Sequence, residues 1–313
     1  MERQRSRIVR ADDAEKRARD ALTHQAWGQR LDLAQFEARE IRLRGHPWSR
    51  DAMETWLLVG EGGGVLASCE TFRVSSRAAG APGSTWAIAS VFTEPALRGK
   101  GYAREMIEQV VDELHRHDAS AQGVILFSEV GPTLYRGVGF VEVPWLERTL
   151  PASPGTVSAG VRLLAEEELE ETFGRIPLPE DPFVAWPSAA QIDWHLERER
   201  IYAEILGRRR PVAAGATIGE STAIWAADFK NERLCMLAAH ANDLEAGEAL
   251  VRSAASIAAG ANLRAVHVWE SALLPLPPAL GRIRHAEDVP MLRPLAGGIA
   301  AGDWRTIPRA LWV

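Results

Sequence analysis

Between residues 85 and 117 an apolar run, a glycine-bracketed corner and an amphipathic stretch follow one another without a break: TWAIASVF, TEPALRGKGYARE and MIEQVVDELHRH. In the last of these Met106, Val110, Val111 and Leu114 recur at helical spacing, so a helix begins close to the corner. A strand that turns into a helix through Gly99 and Gly101 leaves few folds open. Glycine supplies backbone conformations that other residues avoid. The first N–H groups of the helix, which have no partner inside it, must point at whatever lies in front of the corner.

Three phosphate-binding loops resemble this stretch on the surface. A nucleotide-hydrolase loop needs Ser or Thr after Gly-Lys to hold Mg²⁺, and here Gly101 follows Lys100 while Glu94 stands where the earlier glycine belongs. A dinucleotide fingerprint starting at Gly99 and Gly101 fails at its third glycine, which is Arg104. The third pattern is R-G-x-G-x-A, carried by Arg98, Gly99, Lys100, Gly101, Tyr102 and Ala103. Small residues let the backbone wrap a diphosphate, the helix dipole adds partial positive charge, and Arg98 and Lys100 add full charges. Such a cradle needs no metal. The six residues alone are equally a Gly-rich helix start with two solvated basic side chains, and the flanks decide between the two.

Before the corner, Asp12 caps a helix with Glu15 completing a capping box, and Gly28 terminates it. A second helix follows over LDLAQFEAREIRLRG, then a hairpin over ETWLLVGEGGGVLASCETFRV, a loop over SSRAAGAPGS and the strand TWAIASVF. After the helix, GVILFSEV has the unbroken apolar core of a strand buried on both faces. The segment GPTLYRGVGFVEVPWLERTL gives a short helix, a turn and a final strand. This order predicts an α+β domain with a mixed, mainly antiparallel sheet flanked by helices. The Pro, Ser and Gly of LPASPGTVSAG predict a boundary between a domain over 1–152 and another over 160–313. The second half echoes the first with strand, helices, the strand pair STAIWAADF and ERLCMLAAH, a helix, and the strands RAVHVWE and VPMLRPL.

With 313 residues, 46% of them hydrophobic and 25% charged, the chain is long enough for one large domain or two ordinary ones and can bury a real core. A net charge of −6 gives no bulk attraction to nucleic acid or anionic membrane, so an anionic ligand needs a local site. Cys69 and Cys235 are far apart and lack metal-ligand spacing, which argues against a disulfide framework or structural metal and for a reducing cytoplasm. No run approaches the ~20 apolar residues that span a bilayer. His115 and His117 lie two apart on a helix and read as a favourable charge cluster at its C-terminus. The run Arg208 to Arg210 reads as a solvated cap, and Trp48, Trp56, Trp186 and Trp194 as core side chains that could alternatively line an acceptor pocket.

IASVFTEPALRGKGYAREMIEQVVDEL followed by GVILFSEVGPTLYRGVGF resembles the GNAT superfamily of N-acetyltransferases over about residues 7 to 150. The strings ASCETFR and LFSEVGPTLY, with the long extension after them, are similar to the fungal lysine N-acetyltransferase group and its bacterial relatives. The resemblance implies acetyl-CoA as co-substrate and direct attack of an amine on its thioester. It places the pantetheine arm on Val91, Phe92 and Thr93, and the diphosphate on residues 98–103. It makes Tyr135 the acid that protonates the leaving thiolate; read by itself, Tyr135 is also a core aromatic against Phe140. Glu129 and Glu70 are the carboxylates placed to act as base, each equally readable as a structural hydrogen-bonded group, and a water chain can take the proton instead. The second half has no R-G-x-G-x-A loop and reads as a degenerate, non-catalytic GNAT-like partner. A small primary amine, lysine or a related amino acid, is the expected acceptor. Protein, polyamine or antibiotic acetylation and a non-enzymatic CoA-binding sensor are the alternatives.

Overall fold

The computed structural model describes residues 6–313, which form two compact units. The first comprises the chain through Val143, Asp288–Trp304 and Trp312–Val313; the second comprises Pro144–Glu287 and Arg305–Leu311. In chain order the first unit starts with β1 (Ser6–Arg10), α1 (Asp13–Trp27), α2 (Leu33–Gly45), α3 (Pro47–Ala52), β2 (Met53–Gly60), β3 (Val65–Ala78) and β4 (Ala81–Phe92). It continues with α4 (Tyr102–His117), β5 (Ala121–Ser128), α5 (Thr133–Arg136) and β6 (Val141–Glu142). The second unit holds β7 (Leu146–Pro151), β8 (Arg162–Leu164), α6 (Leu169–Phe173), β9 (Phe183–Trp186), α7 (Ala189–Leu206) and β10 (Gly215–Ile218). It also holds β11 (Ser221–Asp228), β12 (Arg233–His240), α8 (Leu244–Gly260), β13 (Ala265–Trp269) and β14 (Arg282–His285). Finally β15 (Val289–Pro294) returns to the first unit.

Local chemistry sets the helix ends as the sequence predicts. The Asp12 carboxylate accepts from the N–H groups of Ala14 and Glu15, both at 2.8 Å, and Glu15 bonds back to the Asp12 amide. Asp32 and Gln35 repeat the box on α2. The expected loop at residues 75–84 is a correction. β3 and β4 instead run on to pair Ala78 with Ala81, joined by Ala79 and Gly80, both at positive φ (47° and 83°). A two-residue turn of that handedness matches strand twist, and the cross-strand ladder supplies order that small and polar residues do not advertise locally.

In the first unit the sheet order is β1-β2-β3-β4-β5-β15-β6, antiparallel except where β4 runs parallel to β5 through the α4 crossover. In the second it is β8-β10-β11-β12-β13-β7-β14, with β12 parallel to β13 through α8. Slot by slot the two sheets match. The strand between the crossover partner and the edge is β15 in the first, which comes from beyond the second unit's run of sequence, and β7 in the second, which opens that unit's own run. VPMLRPL therefore belongs to the first unit and WLERTL to the second, the reverse of the sequence expectation, and the units part after Val143 rather than within LPASPGTVSAG.

β15 is committed to its slot. Met291 and Leu292 are fully buried, and the strand pairs β5 from Val289↔Ser128 to Pro294↔Gly123. A fragment of residues 1–152 leaves the β5 edge unpaired and is expected to lose its cooperative urea transition. In the full chain, Met291→Ala should cost about 2–5 kcal/mol, read from the shift in urea midpoint.

Candidate functional site

β4 and β5 pair in parallel only from Ser84↔Ala121 to Ile88↔Leu126. Beyond Ile88 the strands part, for a reason visible on the other side of β4. Opposite β3, Glu70 faces Ala89 and Ser68 faces Phe92, so Ser90 and Val91 together oppose the single Cys69. This β-bulge bends its strand and breaks the ladder. Ser90 adopts φ 53°, a conformation uncommon for a residue with a side chain. The consequence is that the backbone of Val91, Phe92 and Thr93 has no ladder partner on the β5 side, where the two strands part in a groove.

Arg19 holds the bulge. Its Nη2 donates to the Ser90 carbonyl at 3.0 Å, its Nη1 to Glu70 at 2.7 Å and its Nε to the Ser68 hydroxyl at 3.1 Å. Arg19 and Glu70 are each 5% exposed. Burial raises the Glu70 pKa and the Arg19 charge opposes that rise. Around this pair α1 and α2 exchange further charges: Arg44 donates to the buried Asp20 at 2.8 Å, and Arg39 pairs with Glu40. Arg19, Asp20 and Thr23 are the buried residues of α1, so its inward face is polar. The sequence reading missed Arg19. The signal was an Arg-Asp pair at positions that should have been apolar.

After β4, Glu94 starts a tight turn over Pro95–Leu97, and Arg98 folds back so that Nε donates to the Thr93 carbonyl at 3.0 Å. Gly99 and Gly101 have φ 76° and 87°. A Cβ on Gly99 would meet no protein atom within 4 Å, so the conformation demands glycine there and the space in front stays open. Gly101 caps α4 with no side-chain acceptor, and the first helical bond runs from the Glu105 N–H to the Gly101 carbonyl. The N–H groups of Tyr102, Ala103 and Arg104 therefore have no partner within the helix. The exposed Arg98 and Lys100 stand beside them. The Thr93 hydroxyl is buried with no hydrogen-bond partner among the described residues. Open space, free amides, an orphaned hydroxyl and two cations suit a phosphorylated ligand with a hydrogen-bonding arm.

Tyr135, on α5, is buried edge-on against Phe140 with ring centroids 6.1 Å apart. It shares a core cluster with Cys69, the residue the bulge faces, and Val91 and Tyr102 pack on the same cluster. Desolvation pushes the phenol up to about 12, with the charges of Cys69 and Glu129 adding to the rise. The ring is thus the core aromatic of the first reading, in the same cluster as Val91 next to the bulge. Glu129 is exposed just past the end of β5. Glu70 lies on the Arg19 face of β3, while its neighbour Cys69 packs toward α4 and Tyr135, so the sheet separates Glu70 from the phenol. The Phe92 ring is buried edge-on to Trp27 at 5.8 Å, which leaves only its backbone to the groove. Trp48 stacks on Phe72 and Trp56 Nε1 donates to the Thr71 hydroxyl, both as core side chains. Arg210 is no solvated cap: it pairs with Glu166 and with the buried Glu199.

The framework of splayed parallel strands and an amide-lined corner defines a GNAT-type acyltransferase unit. Residues 19–140 match the acetyltransferase (GNAT) family, and residues 178–288 match the LYC1 GNAT-like C-terminal domain. The chain belongs to the GNAT superfamily and is an acyl-CoA-dependent N-acetyltransferase of that type. It is similar to a protein of Yarrowia lipolytica (strain CLIB 122 / E 150) named lysine acetyltransferase, 24% identical over 281 residues, covering 70% of this chain and 71% of that one. Its fold is similar to that of a GCN5-related N-acetyltransferase from Kribbella flavida, with TM-score 0.55 and 17% identity over 93% of this chain and 71% of that one. An Enterococcus faecalis V583 protein of unknown function, described as a probable N-acyltransferase, aligns with TM-score 0.60 and 13% identity over 93% and 73%. No helix among the described residues is long and apolar enough to cross a membrane.

Two expectations follow from the geometry. Arg19→Met strands the Glu70 carboxylate and should cost about 3–5 kcal/mol, most of it recovered in the Arg19→Met/Glu70→Met double variant; denaturant titration of the four proteins measures this. Because the folded state holds the Glu70 proton more tightly than the unfolded chain does, its ionisation lowers stability as pH rises above 4.5. Glu70→Gln should therefore flatten the pH dependence of stability in that range, and an unchanged slope would assign it to other groups.

Proposed function

We propose that the first unit transfers the acetyl group of acetyl-CoA to the primary amine of a small molecule, lysine or a related amino acid. The observation that carries this reading is the groove opened by the Ser90 bulge, running onto the uncapped N-terminus of α4 with a buried phenol beneath it. The diphosphate would lie on the amides of residues 101–104 beside Arg98 and Lys100. The pantetheine arm would add a strand along Val91 to Thr93, where β5 has withdrawn. The lysine assignment rests on the name of the Yarrowia relative and on short shared strings, and is the finer part of the proposal.

The chemistry is one displacement. The neutral amine nitrogen attacks the thioester carbonyl carbon, the C–S bond breaks, and the thiolate takes a proton while the amine loses one. A backbone N–H in the bulge, at or beside Val91, polarises the carbonyl as charge develops on its oxygen. Tyr135 gives the thiolate its proton. A phenol near 12 is protonated at every pH at which the reaction runs. Transfer to a thiolate of ordinary pKa ~8.5 is driven by the new charge forming beside it in a desolvated site. Glu70 is engaged by Arg19 and serves the bulge; the amine proton leaves through solvent or to the exposed Glu129 just past β5.

Tyr135→Phe keeps the ring packing and should lower kcat by about 10²–10³-fold while acetyl-CoA affinity by calorimetry is unchanged. Equal turnover in both proteins would remove Tyr135 from the acid role. Gly101→Ala forces a side chain into the left-handed region at the cradle and should weaken acetyl-CoA binding at least tenfold with the fold intact. Free-thiol release across amino acids, polyamines and aminoglycosides, with product masses, tests the acceptor class. Acetyl-CoA binding with no turnover on any amine would favour a sensor.

A further inference from the structure

The second unit repeats the groove-forming device of the first. β12 and β13 pair in parallel only from Arg233↔Ala265 to Cys235↔His267, although β12 continues to His240 and β13 to Trp269. Here too the parting coincides with a bulge, because Leu237 is the extra residue of β12 between Met236, opposite Trp225, and Ala238, opposite Ile224.

What fills this second groove is chain. Residues Thr306–Arg309 line it against Met236–Ala239 and Trp269, leaving a cavity of about 30 Å³, room for a water or two. Thr306, Ile307, Arg309, Ala310 and Leu311 are each at most 5% exposed. The Ala310 carbonyl accepts from Gln191 Nε2 at 2.7 Å and from His195 Nε2 at 2.9 Å. Burial holds His195 neutral, its pKa pushed down to about 3, so Nε2 carries the proton it donates. The Arg309 guanidinium sits 4.7 Å over the Trp269 ring, and Ala310 packs among Leu196, Ile224, Leu237 and Ala238.

The corner that follows β12 has also lost its capacity for an anion. Asp243 caps α8 with its own carboxylate on the Ala246 N–H at 2.8 Å, the Ala241 N–H bonds to the Leu273 carbonyl, and the Asn242 N–H to the Ser221 hydroxyl. A phosphate would meet a negative charge and spent amides.

We propose that the groove of the second unit is a peptide-binding slot whose ligand is this chain's own segment 305–311, RTIPRAL, recognised by a bidentate grip on the Ala310 carbonyl and by the Arg309–Trp269 stack. The bound segment runs as irregular chain through Pro308 and ends in a 3-10 turn over Arg309–Leu311, which presents the Ala310 carbonyl and the Arg309 side chain.

Limited trypsin digestion of the full-length protein tests this without altering the segment. The bond after Arg309 should stay intact while the protein is folded, and Gln191→Ala/His195→Ala should speed its cleavage at least tenfold. A second measurement uses a variant lacking residues 305–313 and a fluorescein-labelled RTIPRAL peptide. Anisotropy should show saturable binding, weakened about tenfold when Arg309 of the peptide is replaced by Ala and abolished by scrambling. Native cleavage after Arg309 as fast as in the free peptide, or no binding of the peptide to the folded deletion variant, would overturn the proposal. Neither readout involves acyl-CoA, so the assignment of the first unit stands or falls separately.

Discussion

The Arg19 guanidinium is the interaction on which the first groove depends. A parallel pair such as β4 and β5 gains ladder hydrogen bonds by zipping to the end, and something must oppose this if a cofactor is to enter. The bulge at Ser90 and Val91 does so, at the cost of a left-handed Ser90 and a carbonyl turned out of the ladder. That carbonyl is satisfied by Arg19, whose remaining donors reach Ser68 and Glu70 on the facing strand. One fork-shaped side chain thus fixes both strands of the bulge, a geometry that an ammonium on a flexible stem cannot reproduce. The desolvation of the pair is tolerable because Asp20, Glu40 and Arg44 continue the alternation of charge around it.

The parts of the site that were legible in the sequence are those whose physics is local. Gly99 and Gly101 are required by backbone angles at their own positions, the α4 face by helical spacing, and the Asp12 box by residues three apart. Tyr135 stood out only through the family resemblance, since by itself it reads as a core aromatic. What the sequence concealed depends on partners distant in the chain. Ser90 looks like any strand serine, and its bulge exists only in the register of β3. Arg19 is separated by 51 residues from Glu70 and becomes meaningful only when α1 lies on the sheet.

The strands β7 and β15 show the same limit at the scale of the fold. β15 is mainly apolar while β7 carries the buried Glu147 and Arg148, and each fills a slot between a buried strand and a short edge. Composition specifies that a strand forms but not which of two similar slots takes it. The Pro- and Gly-rich segment at 151–160 offered a natural boundary, yet β7 before it already belongs to the second unit. The first sheet is therefore incomplete without sequence from beyond the second unit's helices, whereas all the strands of the second lie in one continuous run.

The two units therefore share a scaffold and differ in a few residues that decide what the scaffold holds. Both open a groove by a bulge on the crossover strand. In the first the corner ends in Gly101, which leaves the first α4 amides without a side-chain acceptor; in the second it ends in Asp243, whose carboxylate takes the Ala246 amide and sets a negative charge at the helix start. The anion cradle can be lost by replacing a capping glycine with a self-capping acid, with no change of topology, because helix N-terminal amides serve either an internal carboxylate or an external phosphate but not both. The parted strands of the second unit carry backbone and apolar surface that has to be covered. The segment at 305–311 covers it, supplying a carbonyl to Gln191 and His195 and a cation to Trp269. A groove that requires an occupant to be complete is stable only when that occupant is always present, and a segment of the same chain meets that condition at no cost in concentration.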